Sequence, residues 1–157
     1  MEQGNHGSQK DLGALLVASP RTPKEFEEYY DLRWRILRAP WQQPRGSEKD
    51  DWEHLADHVS ARDPGGRLLG VGRLHLSNPG EAQIRYMATE PDCRGRGVGL
   101  AVYNRLESIA AEHHVNYIAL NARETALGFY LKLGYEIIGD GPLLFGQIPH
   151  KAMVKKL

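Results

Sequence analysis

The sequence contains a single cysteine, Cys93, which rules out a disulfide within the chain. It carries no surplus of charge: Lys and Arg number 20, and Asp and Glu number 20. A chain without a net positive field does not attract a nucleic-acid backbone or an anionic membrane surface, so neither is an expected partner. No apolar run approaches the roughly 18 residues of a membrane span, and residues 1–11 (MEQGNHGSQKD) lack the apolar stretch of a secretory leader. A cytoplasmic location is therefore expected. Internal repeats and low-complexity tracts are absent as well. What is left is a chain of 157 residues, 41% hydrophobic and 25% charged, which suits one domain of ordinary size with its own core. The polar, glycine-containing residues 1–11 read as a flexible N-terminal segment, and residues 12–157 as the domain.

Hydrophobic periodicity and turn residues divide that domain into elements. Residues 13–19 (GALLVAS) form a short apolar run between turn residues, the pattern of a buried first strand. Thr22, Pro23 and Glu25 supply a capping box with proline at the first helical position. The helix they open directs Phe26, Tyr29, Tyr30 and Ile36 inward and stops before Pro40. Residues 39–47 (APWQQPRGS) read as a loop, and Ser47 as the cap of a second short helix through Trp52 and Leu55. From His58 the pattern becomes an antiparallel meander, with strands at 58–62, 67–76 and 82–89 joined by turns at 63–66 (DPGG) and 77–80 (SNPG). A helix from Val98 presents Val102, Leu106, Ile109 and Ala110 on one side. Strand 117–122 follows, then a helix over 124–133, apolar almost all round and ended by Gly134, and a closing hairpin of 136–138 with 143–156.

The segment 84–110 (IRYMATEPDCRGRGVGLAVYNRLESIA) organises the rest. An apolar, strand-like run ends at Glu90 and Pro91, a turn rich in Arg and Gly follows, and the helix begins at Val98. Gly95, Gly97 and Gly99 let the backbone take positive φ and bring its N–H groups against a ligand. The first amides of a helix are unpaired, and its dipole places about half a positive charge at that end. Phosphate or pyrophosphate is the natural guest. The dinucleotide pattern G-x-G-x-x-G fails because Leu100 stands in its sixth position, and the G-K-S/T of a P-loop is missing. The pattern present is R-x-x-G-x-G, formed by Arg94, Gly97 and Gly99.

That pattern resembles the acetyl-CoA motif of the GNAT N-acetyltransferase family. Ala126, Phe129, Tyr130, Lys132, Gly134 and Tyr135 spell A-x-x-F-Y-x-K-x-G-Y, very similar to a second motif of the family, and the order βααβββαβαββ agrees with both. The ending Ile148, Pro149 and His150 with Met153, and in part LNAR over 120–123, looks like the ElaA-like branch. The resemblance covers roughly residues 12–157. It implies an α/β fold: a mixed, mostly antiparallel sheet of about seven strands flanked by four helices. It implies acetyl-CoA as cosubstrate, no metal, and a primary amine acceptor on a small molecule or a protein, attacked directly in a ternary complex; a homodimer is admitted. The competing reading is a catalytically inactive acyl-CoA-binding sensor or interaction domain of the same fold.

On this resemblance the turn Arg94, Gly95, Arg96, Gly97, Val98 and Gly99 holds the pyrophosphate by its amides, and the two arginine side chains add charge. Met87, Ala88 and Thr89 stand where the family's strand parts from its neighbour, often at a bulge, and pairs with the pantetheine arm. The Met87 N–H is the expected donor to the thioester oxygen. Arg123 occupies a position where relatives often carry Asn or Gln against the same arm, with Asn121 as the alternative contact. Tyr130 is the expected acid for the departing thiolate. No carboxylate stands on strand 82–89, so His150 and His75 are the candidate bases, ahead of Glu81, Glu90 and Glu124. Each has a plainer reading as well: core aromatic for Tyr130, hydrogen-bonded strand residues for the histidines, a solvated turn for the arginines. Cys93, beside Arg94 and the helix start, reads as an incidental surface thiol in a setting that lowers a thiol pKa. Arg73 and Arg85 lie on inner strands with no acidic partner obvious in the sequence. Facing the acceptor they favour one that bears a carboxylate, and salt bridging within the sheet is the alternative.

Overall fold

The computed structural model describes residues 12–157; the segment 1–11, expected to be flexible, lies outside the described residues. In chain order the elements are β1 (Leu16–Ala18), α1 (Pro23–Leu37), β2 (Asp57–Arg62), β3 (Leu68–Asn78), β4 (Glu81–Thr89), α2 (Val98–Glu112), β5 (Tyr117–Arg123), α3 (Leu127–Lys132), β6 (Glu136–Asp140) and β7 (His150–Lys156). The seven strands form one sheet in the order β1-β2-β3-β4-β5-β7-β6. Only β4 and β5 run parallel; the connection between them is α2, as a parallel crossover requires. The α/β class and the mostly antiparallel seven-stranded sheet are those expected, with three α-helices among the described residues in place of four.

The missing helix is the one expected from Ser47. Residues 45–48 and 51–52 form turns, followed by a single 3-10 turn at Glu53–Leu55. Its carboxylates explain this. Glu48 accepts from the Gly46 amide at 2.8 Å and Asp50 from the Trp52 amide at 2.9 Å, so side chains satisfy the backbone locally and compete with a helical ladder. The last helix is also shorter than expected, and Tyr130 is its one buried residue. β7 begins at His150; residues 143–148 turn back on themselves through a bridge between Leu144 and Ile148.

Each face of the sheet carries one long helix. α1 opens on the capping box read from the sequence: Thr22 Oγ1 accepts from the Glu25 amide at 3.1 Å and Glu25 Oε1 from the Thr22 amide at 3.2 Å. It buries Tyr29, Leu32 and Arg33, with Phe26, Tyr30 and Ile36 partly covered. α2 buries Val98, Val102, Tyr103, Leu106, Ile109 and Ala110 against Ile84, Ile118, Leu120, Ala122 and Met153 on the opposite face. β3 meets α2 at two glycines. A Cβ on Gly72 would lie 2.5 Å from Met87 Sδ and 2.8 Å from Val102 Cγ1, and one on Gly70 would lie 2.6 Å from Val98 Cγ1. These contacts seat the start of α2, and with it the glycine turn. Gly72→Ala is accordingly expected to cost about 1–3 kcal/mol through overpacking. Thermal unfolding should show it as a lower Tm, by about 2–4 °C per kcal/mol for a chain of this size. An unchanged Tm would mean that the helix is not seated on these glycines.

Candidate functional site

β3 and β4 pair with one residue to spare. Gly70 faces Thr89 and Val71 faces Ala88, but Arg73 faces Arg85, so Tyr86 and Met87 together oppose Gly72. Tyr86 takes the left-handed conformation, at φ 62, which a residue with a Cβ adopts sparingly. The bulge resets the alternation of faces: Ile84 and Met87 both pack toward α2, while Arg85 and Tyr86 lie together on the α1 side. β4 and β5 pair only at Glu81 with Tyr117, Ala82 with Ile118, and Gln83 with Ala119. Beyond these residues the strands part, although β4 runs on to Thr89 and β5 to Arg123. Met87, Ala88 and Thr89 therefore lie on the parted length of β4, whose edge toward β5 has no ladder partner among the described residues.

The glycine turn lies at the end of this gap. Gly95 and Gly97 have φ of 75 and 87, and a Cβ on either would meet nothing within 4 Å. Gly97 is the N-cap of α2, no side chain caps that end, and the amides of Gly95, Gly97, Val98 and Gly99 donate to no protein group among the described residues. Val98 is buried and anchors the turn, Arg94 is exposed, and Arg96 Nη1 reaches the Asp92 carbonyl at 3.4 Å. Thr89 Oγ1 lies 3.8 Å from where a Gly99 Cβ would stand, so the parted strand and the helix mouth are continuous. An uncapped helix end that backbone can approach closely fits a phosphate, and an unpaired strand edge fits an extended, amide-bearing arm. Cys93 departs from its expectation. It is buried, and burial, then the neighbouring Asp92 charge, pushes its thiol pKa up.

Tyr130 is buried in an aromatic cluster, 5.0 Å from Phe129, 5.5 Å from Tyr135 and 6.4 Å from Tyr103, ring to ring. Tyr103 and Tyr135 bond each other at 3.0 Å. The Tyr130 hydroxyl makes no hydrogen bond among the described residues, yet it is not among the sealed polar atoms, so it borders open space. Burial raises its pKa, and the phenol keeps its proton throughout the neutral range.

The two expected bases differ. Arg73 Nη2 donates to His75 Nδ1 at 3.0 Å, and the ring stacks on Trp52 at 4.7 Å. An arginine only donates, so the lone pair of a neutral His75 is already engaged, and His75 is withdrawn as a base. Burial, then the Arg73 charge, lowers its pKa. His150 Nδ1 lies 2.9 Å from the Ile148 carbonyl and 3.2 Å from the Pro142 carbonyl. Carbonyls only accept, so Nδ1 carries the proton and Nε2 the lone pair. His150 lines a cavity of about 290 Å³ with Glu124, Leu127 and the 140–143 turn. Of the carboxylates held in reserve, Glu81 is bonded to Ser77 and Asn78, Glu90 to Arg35, and Glu124 is exposed at a 3-10 turn.

Arg123 pairs with His150 across β5 and β7, and Asn121 with Ala152, which brings Asn121, Arg123 and His150 to one face. Asn121 is exposed, its Oδ1 2.8 Å from the position of a Gly141 Cβ. Arg123 lies in the field of Arg38, the C-cap of α1; burial, then that charge, lowers its pKa.

Sequence reasoning missed the polar cluster on the α1 face. Arg73, fully buried, is held by Asp50 and by Glu53 at 2.7 Å; Glu53 also holds Arg33 at 2.9 Å, and Asp50 holds Arg85 at 3.0 Å. Arg73 and Arg85 thus have the acidic partners that the sequence did not reveal. Burial would raise the Asp50 pKa, but the hydrogen bonds from Arg73 and the Trp52 amide and the charges of Arg73 and Arg85 outweigh it and hold the carboxyl at about 2. The signal was the acidic run EKDDWE over 48–53, which the sequence reading placed in a short helix capped by Ser47 and running through Trp52 and Leu55.

Residues 26–135 match the model of the acetyltransferase (GNAT) family. The uncharacterized N-acetyltransferase YjcF of Bacillus subtilis (strain 168) is 26% identical over 135 residues, which cover 86% of this chain and 95% of that protein. Among solved structures, an aminoglycoside 6'-N-acetyltransferase complexed with coenzyme A is similar at a TM-score of 0.75 and 19% identity, over 90% of this chain and 96% of that one. Escherichia coli ElaA is similar at 0.72 and 14% identity, over 90% and 98%. At these identities the structural likeness is one of fold.

Proposed function

The chain belongs to the GNAT acetyltransferase family and is an acetyl-CoA-dependent acyltransferase; from that premise we propose that it acetylates a primary amine, of a small molecule or a protein, by direct attack in a ternary complex. The observation that carries this reading is the continuity of the parted β4 edge with the uncapped end of α2 at Thr89 and Gly99. The coenzyme supplies an acetyl thioester, whose carbonyl carbon gains a bond to the acceptor nitrogen as its bond to sulfur breaks, so the nitrogen must shed a proton and the sulfur take one up. The turn amides from Gly95 to Gly99 hold the diphosphate, and the β4 edge at Met87, Ala88 and Thr89 orients the arm. The Met87 N–H at the bulge stands as donor for the carbonyl oxygen. Tyr130, kept protonated by burial, gives its proton to the sulfur, and His150 Nε2 takes one from the amine. The one thiol of the chain is buried with a raised pKa, which disfavours an acyl-cysteine route.

Calorimetric titration with acetyl-CoA, followed by thiol release over a panel of amines, tests the proposal. Gly97→Val is the control for the turn. A β-branched residue forced to φ near 87 costs about 1–2 kcal/mol and sets a side chain against the anion, so the Kd for acetyl-CoA should rise about tenfold or more. Unchanged affinity would remove the turn from the coenzyme site. Tight binding without thiol release on any amine would establish the inactive acyl-CoA-binding domain instead.

A further inference from the structure

Five arginines converge on the open end of the sheet on its α1 side. The guanidinium carbons of Arg33, Arg73, Arg85 and Arg38 lie 4.2, 4.9, 4.8 and 5.5 Å from the centre of the Tyr86 ring, and Arg123 ends β5 on the same side of the sheet, opposite to the face on which Leu120 and Ala122 pack toward α2. Asp50 and Glu53 serve three of them, Arg33, Arg73 and Arg85, and Asp50 is shared between two. Arg38 and Arg123 pair with no carboxylate among the described residues. Arg38 is only 6% exposed. Its Nε and Nη1 donate to the Ser47 and Leu37 carbonyls at 2.9 and 3.1 Å, and its guanidinium lies 5.3 Å from the Phe145 ring. Carbonyls and ring faces fix a guanidinium in place, but they do not neutralise it, and a buried cation without an anion is costly.

The surplus charge borders the reacting gap. Arg85, the last paired residue before the bulge, and Tyr86, within it, lie on the parted length of β4, and Arg123 ends the parted length of β5 opposite His150. A molecule whose anionic end joins Arg38 and Arg123 has the rest of its length beside that opening. Two guanidinium forks suit the planar, two-oxygen geometry of a carboxylate, and one monoanion offsets charge without overtaking it. Resting on the acetyltransferase reading, we propose that the acceptors are small amino carboxylates, gripped through the carboxylate by Arg38 and Arg123 with Arg85 at the rim, their amine directed into the gap between β4 and β5.

The test is thiol release from acetyl-CoA with α-amino acids and ω-amino acids of increasing length, each against its carboxamide, with diamines and aminoalkylphosphonates as further amines. The best acid is expected to exceed its amide at least tenfold in kcat/KM. Arg38→Met should raise KM for that acid at least tenfold, leave KM for the amide within about twofold, and leave the acetyl-CoA titration unchanged. Should Arg38→Met fail to unfold cooperatively, Arg123→Met takes its place, with the same collapse of the acid-to-amide ratio expected. Loss of acid and amide activity in equal measure would mark a structural role and overturn the proposal. So would wild-type preference for amides, diamines or phosphonates, and in that case the acetyltransferase reading stands. If acetyl-CoA binds and no amine at all releases thiol, that reading falls and this one with it.

Discussion

Replacing Tyr130 by Phe is expected to lower kcat by about 10²–10⁴-fold, the range for removal of a positioned general acid, with KM for acetyl-CoA little changed. The substitution takes away one hydroxyl from a ring clamped by Phe129, Tyr135 and Tyr103, and that hydroxyl bonds no protein group among the described residues, so no packing and no internal hydrogen bond is lost. Folding stability should therefore stay near wild type, which separates a chemical effect from a structural one. The pH profile gives a second check. Because burial raises the phenol's pKa, the acid form persists on both sides of neutrality, and Tyr130 should impose no falling limb below about pH 9. A kcat unchanged in Tyr130→Phe would reduce Tyr130 to a core aromatic and leave the leaving thiolate to solvent.

Arg73→Met carries the largest expected effect on stability. It removes a fully buried cation and leaves Asp50 with Arg85 and Glu53 with Arg33 as their remaining arginine partners. Since these carboxylates are 20% and 14% exposed and each keeps a partner, the loss should not exceed the lower end of the 3–5 kcal/mol range for broken buried pairs, about 3 kcal/mol at pH 7. The sign of the pH dependence follows from Asp50. Its folded-state pKa, about 2, is depressed below the ordinary 3.8, so the stability it contributes is present in full above about pH 4 and is lost as pH falls through about 2. The difference between wild type and variant in urea unfolding should then be greatest near neutrality and shrink toward pH 2. A difference below about 1 kcal/mol at pH 7 would show that Coulomb attraction here does no more than offset desolvation.

The same cluster shows where sequence reading stops. The inward faces of α1 and α2 were legible because a period near 3.6 and a capping box are local properties, and Val98, Val102, Leu106, Ile109 and Ala110 all pack as read. Arg33 was not, since the periodicity that buries Tyr29 and Leu32 also buries whatever stands between their neighbours on that face, and nothing local says that Glu53 will meet it. The expected helix at 47–55 failed for a related reason. Its carboxylates cap their own backbone and reach sheet arginines 20 to 35 positions away, and a propensity estimate weighs neither. His75 and His150 read alike as strand histidines. Only their neighbours, an arginine donor for one and two carbonyl acceptors for the other, told them apart.

By itself, then, the sequence determined the order and kind of the elements apart from the helix expected at 47–55, the glycine turn at the mouth of α2 and the aromatic helix carrying Tyr130, because each depends on residues within about one turn or one strand of one another. The tertiary structure alone decided the bulge that leaves Tyr86 at positive φ, the parting of β4 from β5, and the side of the sheet on which Arg38, Arg85 and Arg123 gather. Those features are set by the register between strands distant in the chain. One residue gained or lost in that register turns every later side chain to the opposite face, and no local pattern records it.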